Sequence, residues 1–277
     1  MTQSEKNAEI IGSAIQPSKA MTPKGDTILT ALSQDKNVAA FQKIMGDKTP
    51  IFLQTVRNVL LAPQNKRLME CDKNSILRSC MACAVTGLTI DPAFGQAAIV
   101  PYGNQATFMP MKNGLVHLAN NTGIIQRLNA APVYEGDIKS HNPFTGDLEY
   151  NSEPHDREIL IGYVAYIRFL NGADHYLYMT TEQIKAHGKR YSKSYNRSDG
   201  LWQTNFPVMA EKTVIKQLLN KWGSMDTMAN SKLWMALKFD QATPTDMDIN
   251  AATPQYPDGK DADYVEDIDA EDVTANE

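Results

Sequence analysis

The chain has 277 residues, 42% of them hydrophobic, and a formal net charge of −5, which is enough apolar material for a substantial core in one large or two small domains. No run approaches the roughly 18 to 20 apolar residues that span a bilayer, and the start MTQSEKNAEI lacks the apolar region of a signal peptide, so a soluble, cytoplasmic protein is expected. The charge is unevenly held: from Asp240 onward there are twelve acids against one lysine, which leaves 26 bases against 20 acids elsewhere, so the acidic total does not exclude a nucleic-acid partner.

In chain order, residues 1 to 25 are polar and punctuated by Pro17, Pro23 and Gly25, and predict a flexible arm. Leu29, Leu32, Val38, Phe41 and Ile44 then fall at helical spacing, with a break near Ser33 and Gln34. Thr49 and Pro50 read as the cap and first turn of a second helical stretch, ended by Ala62 and Pro63. A third, Ser75 to Thr86, stops at Gly87, the residue type best suited to the left-handed turn past a helix end.

The character changes after Gly87. Gln96 to Val100 and Ala106 to Met111 predict a hairpin turning at Pro101, Tyr102, Gly103 and Asn104, followed by a short helix from Gly114 to Asn121. Ile124 to Tyr134 and Ile138 to Tyr150 predict further strands, the latter broken at Asn142 and Pro143. Ile159 to Leu170 is a strong strand candidate, and Asn171 with Gly172 signals a tight return into His175 to Met179. Thr180 with Gln183 resembles a capping box opening a helix through Ala186.

From Lys185 to Arg197, KAHGKRYSKSYNR holds five Lys or Arg, two Tyr and one His without an acid, and reads as a basic loop suited to a polyanion. A long helix, Leu201 to Trp222, is expected to follow, with Phe206, Ala210, Val214, Leu218 and Trp222 in one apolar row and Lys212 and Lys216 facing outward. The same lysines are also compatible with an ordinary solvated face, and the tyrosines with packing. Met225 to Phe239 has helical spacing, and the Asp-rich remainder predicts a disordered tail, either solubilising or partner-docking. Helices first, strands in the middle and helices last predict an α+β fold, helices flanking a central antiparallel hairpin and sheet core. The implied divisions are residues 1–25 for the arm, 26–239 for the core and 240–277 for the tail.

Chemistry is harder to find. Cys80 and Cys83 have CxxC spacing but lack a second pair, and they sit on the apolar side of a predicted helix, where a structural role is expected. Gly188-Lys189 and Gly259-Lys260 lack the rest of a phosphate-binding loop. Asp137, Asp147 and Glu149 have no spacing that sets them apart from surface acids, and the five histidines have no ligand spacing.

The Gly87-Leu88 turn, the hairpin from Gly95 to Asn104 and the segment Met209-Ala-Glu-Lys-Thr-Val-Ile-Lys216, in this order, make the chain resemble the phage RecT family of single-strand annealing proteins over roughly Phe41 to Met225. The resemblance implies a recombinase that binds single-stranded DNA in a positive groove and anneals it to a complementary strand without bond-making chemistry. No ATP or other cofactor is implied, with a Mg²⁺ dependence of DNA binding left open. It further implies rings or helical filaments of the chain, and as partners a 5′ to 3′ phage exonuclease and the host single-strand-binding protein. Passive coating of single strands is the alternative.

The resemblance carries DNA contact to Lys212 and Lys216, and more loosely to Lys189, Arg190 and Lys193 in the basic segment. Lys185, Arg197 and Lys221 extend this set along the chain; Tyr102 and Asn104 join it at the hairpin tip, and Lys112 and Arg127 from the elements that follow. Trp202 matches the tryptophan that opens the last core helix, where packing is expected. Three departures stand out: Glu211 replaces the first lysine of the family's pair, Lys112 shifts a cation by one position, and Asn120 and Asn121 stand where an arginine is common.

Overall fold

The structure is a computed structural model and describes residues 27–192, 194–223 and 231–240. The predicted arm and the tail beyond Asp240 lie outside these residues, as do Lys193 and the first part of the helix expected from Met225.

The N-terminal part is helical. Helices α1 (Ile28–Leu32) and α2 (Asp35–Met45) are separated at Ser33 and Gln34, as their spacing predicts. Helix α3 (Thr49–Leu61) begins with Thr49 already helical; its hydroxyl donates to the Gly46 carbonyl instead of capping the helix start. A single turn, α4 (Lys66–Met69), leads to α5 (Lys73–Thr86), which is capped by the Asp72 carboxylate accepting from the Ser75 N–H at 2.8 Å. It ends at Gly87, whose φ of 72° is the left-handed geometry that glycine adopts without a Cβ clash. Cys80 and Cys83 are buried along α5, and burial pushes the Cys80 thiol up to about 12, which leaves it inert as a nucleophile or ligand.

Strands β1 (Ala97–Tyr102) and β2 (Gln105–Pro110) form the predicted hairpin, with Tyr102 paired to Gln105 across a turn that Gly103 enters at φ 59°. Helix α6 (Lys112–Asn120) follows. The middle of the chain supplies β3 (Ile125–Tyr134), β6 (Leu160–Phe169) and β7 (Asp174–Thr180), an antiparallel sheet in the order β3, β6, β7. A separate hairpin of β4 (Ile138–His141) and β5 (Leu148–Tyr150) emerges between β3 and β6.

After β7 come α7 (Thr181–Tyr191), a short α8 (Leu201–Thr204), α9 (Phe206–Trp222) and α10 (Ser231–Phe239). The expected single helix from Leu201 to Trp222 is therefore two. Asn205, at φ −149° and ψ 60°, breaks it just before Phe206 and Pro207, where the proline's missing N–H and its ring disfavour a continuous helix.

Helix α9 lies along one face of the β3–β6–β7 sheet and also touches α6, while α10 packs on α5, α6 and β2. The helical part and the sheet thus share one continuous core, with Phe108 of β2 meeting Phe239 of α10 edge-on at 6.1 Å. The fold is α+β, as predicted. Among the described residues no helix is long and apolar enough to cross a membrane, and no cluster of side chains is arranged to hold a metal ion.

Candidate nucleic-acid interface

The capping box predicted from Thr180 and Gln183 is present: the Gln183 N–H donates to the Thr180 hydroxyl at 3.2 Å, and the Thr180 N–H donates to the Gln183 side chain at 2.9 Å. The helix it opens continues to Tyr191, well past Ala186, so the first half of the expected basic loop is helix. Gly188 does not interrupt α7 because it faces the ring of Trp202, where a Cβ would stand only 2.7 Å away. Ile184 is buried on the same side, and Trp202 packs in the core as expected. With this face committed to packing, Lys185, Lys189 and Arg190 are turned to solvent.

Lys221, in the last turn of α9, is also exposed, and His187 of α7 lies 3.5 Å from Gln217 one turn before it. Among the described residues none of these four cations has an ion pair, and three of them lie over rings, Lys185 over Phe206, Arg190 over Tyr191 and Lys221 over Trp222. Side chains of this kind keep their charge for an anion while their stems cover apolar surface.

The segment after α7 is less free. Arg197 donates to both carboxylate oxygens of Asp199, at 3.1 and 2.8 Å, and to the Pro101 carbonyl at 3.3 Å. Asp199 also accepts from Arg67, and the Arg197 guanidinium holds its carboxyl below the usual range. The acid just past the basic stretch therefore neutralises its last cation. Burial raises the Tyr102 hydroxyl's pKa, and the hydroxyl is hydrogen-bonded to Ser194, so Tyr102 joins the hairpin to this segment and is not an open stacking surface. Asn104 is exposed at the hairpin turn, and its carbonyl accepts from the Asp72 N–H at 2.8 Å.

Lys212 and Lys216 are not placed as the helical wheel suggested. Lys212 is only 5% exposed, and both ammonium groups converge on one carboxylate, donating to Asp240 Oδ1 at 2.7 Å and Oδ2 at 2.8 Å. The reason is that α9 is enclosed on more than one side: Met209, Thr213 and Leu219 are buried as well as Ala210, Val214 and Leu218 of the predicted apolar row, which leaves the lysine side facing the end of α10. Burial lowers the pKa of Lys212, against the pull of Asp240. Burial acts upward on Asp240 too, but the two ammonium groups outweigh it and hold the carboxyl below the ordinary range. Asp240, read from sequence as the first residue of a solvated tail, instead closes the core.

Lys112 and Glu211, two of the positions where the chain departs from the family pattern, meet each other: the Lys112 ammonium donates to the Glu211 carboxylate between α6 and α9. The cation lost from the helix and the cation shifted in the loop are thereby one ion pair. Arg127 is exposed on β3, and Arg168 of β6, which the sequence reading did not single out, stands directly opposite it. The register set by the Asn171-Gly172 turn, combined with strand alternation, was the signal that could have found Arg168.

Three of the predicted contacts thus form an exposed basic strip on α7, with Lys221 on the neighbouring helix; Arg197, Lys112, Lys212 and Lys216 are engaged with acids, and Arg127 lies on the sheet. Residues 49–254 match the pattern of the RecT family. An uncharacterized protein, YqaK, of Bacillus subtilis (strain 168) is 34% identical over 200 residues, covering 72% of this chain and 68% of that protein. Protein RecT of Escherichia coli (strain K12) is 31% identical over 161 residues, covering 54% of this chain and 58% of RecT. The family match takes in most of the chain, including the hairpin, the sheet, the basic strip and α9, and the chain belongs to the RecT family.

Proposed function

We propose that the protein is an ATP-independent single-strand annealing protein of homologous recombination, working in the cytoplasm of a bacterial host. Family membership supports a recombination role. The observation that carries the reading to this chain is the set of cations Lys185, Lys189, Arg190 and Lys221, without an ion pair among the described residues and held on helices whose opposite faces are buried. Annealing is opposed by repulsion between two polyanions and by structure within each strand. A rigid row of cations lowers the first barrier, and holding one strand extended lowers the second. Phosphate contacts supply affinity without sequence information, and base pairing supplies the readout. In this reading Lys212 and Lys216 belong to the core, and reach DNA only if Asp240 is displaced. Asn104 and Tyr102 shape the border of the groove, and Arg127 is taken up below.

Side-by-side protomers in a ring or helical filament extend the strip into a continuous groove; a 5′ to 3′ exonuclease and a host single-strand-binding protein are the proposed partners. The test adds two complementary labelled oligonucleotides in sequence without ATP and follows pairing by energy transfer, for wild type and for Lys185→Ala/Lys189→Ala/Arg190→Ala. Fast pairing by wild type that is lost in the triple variant supports the reading. If wild type binds the first strand and slows pairing, passive coating replaces it.

A further inference from the structure

The β3–β6–β7 sheet has two faces, and only one is occupied by α9. Alternation and register put Leu128, Ile167 and Ala165 on the inner face, so Arg127, Asn129, Tyr166, Arg168 and Tyr176 share the outer one. Arg127 and Arg168 are directly opposite each other on adjacent strands, and both are exposed. Like charges in this position destabilise an antiparallel pair, and among the described residues neither arginine has an ion pair that would relieve it. The acid on this face, Asp174, lies opposite Arg168, but its carboxylate accepts from the Tyr166 hydroxyl at 3.1 Å.

Beside the arginines, the rings of Tyr166 and Tyr176 are 4.8 Å apart and tilted by 37°, both half-buried and half open. The β4–β5 hairpin borders them: His141 meets Tyr178 edge-on at 5.7 Å, and Gly146 lies against the Tyr176 backbone. The turn between these strands carries Phe144, which is 97% exposed. Ring faces beside paired guanidinium groups match a flexible chain of bases and phosphates; a protein partner would have to bring its own acids to the same two arginines.

We propose that this outer face is a second single-stranded DNA site, with unpaired bases stacking on Tyr166 and Tyr176 and phosphates held by Arg127 and Arg168. It rests on the annealing reading above, but it lies across the sheet from α9 and is separate from the strip on α7. One protomer therefore offers DNA two surfaces.

The test uses the full chain and oligo(dT) carrying a single 5-iododeoxyuridine, which crosslinks under ultraviolet light to a ring stacked on it. Mass spectrometry should find the adduct on Tyr166 or Tyr176. Tyr166→Ala/Tyr176→Ala should weaken oligo(dT) binding about ten-fold, the loss of one or two base stacks, and Tyr166→Phe/Tyr176→Phe should keep most of the affinity. Arg127→Ala/Arg168→Ala, at exposed positions that do not endanger folding, should flatten the log–log salt dependence by about 1.4 for two phosphates. Adducts confined to residues 185–197, with affinity and salt slope unchanged in the arginine variant while wild type still anneals, would overturn the second site and leave the annealing reading standing. Arginine variants that alter particle size in light scattering but not DNA affinity would make this face a contact between copies and also overturn it. Absence of any oligo(dT) binding by wild type would remove both proposals together.

Discussion

Asp240→Ala removes a single carboxylate that two lysines share. Its side chain is 10% exposed, that of Lys212 6% and that of Lys216 16%. Lys216 stands nearest to water and can turn toward it, but Lys212 is left as an enclosed ammonium without its partner. Breaking a buried pair from one side costs about 3–5 kcal/mol. Because the Lys212 pKa is already lowered by burial, part of the penalty can be relieved by losing the proton, so the lower end, about 3 kcal/mol, is expected. For a domain of this size that is a fall of roughly 6–12 °C in Tm. The pH dependence has a definite sign. The Asp240 pKa is depressed in the folded state, so its contribution is complete above the ordinary carboxylate value of about 4 and is lost as pH falls through the lower native value. The gap between wild type and variant should therefore hold from neutral pH down to about 4 and close only in stronger acid. Urea melts followed by circular dichroism measure it. Lys212→Met/Asp240→Asn, which removes the enclosed charge and keeps an acceptor for Lys216, should recover most of the loss. An Asp240→Ala protein within about 0.5 kcal/mol of wild type would refute the reasoning, since that is the range of ordinary surface substitutions.

Other consequences can be tested as directly. Glu211→Gln frees the Lys112 ammonium, and if this junction borders the DNA groove the salt dependence of oligo(dT) binding measured by anisotropy should steepen by about 0.7, one phosphate contact. Gly114→Ala places a Cβ 2.0 Å from the Gln96 carbonyl oxygen, which already accepts from the Met111 N–H, and should cost about 3 kcal/mol in a urea melt as α6 is pushed off the segment leading into β1. In the turn after β3, the hydrogen bond to the Glu153 carbonyl and the Asp137 carboxylate raise the His155 pKa, while Asp137 is lowered, against its burial, by the Tyr134 N–H, Arg157 and His155. The His155 contribution is thus present below the ordinary histidine value and lost as pH rises through its native pKa, and that of Asp137 is lost as pH falls through its own. An NMR titration should find His155 above the ordinary value in wild type and closer to it in Asp137→Asn.

What could be read from the sequence was local. Gly87, the Gly103-Asn104 and Asn171-Gly172 turns and the Thr180–Gln183 box each act within four residues, and each marks a real boundary. Helix α7 outran its predicted end at Ala186: Gly188 lies within it and is the only residue type that lets α7 approach Trp202. The fate of the lysines on α9 was not legible. A helical wheel separates apolar from polar positions but does not count how many neighbours surround a helix, and α9 has a sheet on one side with α6 nearby. The partner of Lys212 is 28 residues further on, in a stretch whose composition alone pointed to solvent. The Lys112–Glu211 pair was visible as two unrelated anomalies; only the proximity of α6 and α9 makes them one interaction.

Thr180 is at once the last residue of β7 and the cap of α7. No linker separates strand from helix, and the cap's two hydrogen bonds fix the angle between them. There is accordingly no hinge at which α7 can swing. A pull on Lys185, Lys189 or Arg190 is passed through Thr180 into the β6–β7 pairing. The row of cations behaves as a rigid tooth on the sheet, and its spacing is set by the β6–β7 pairing.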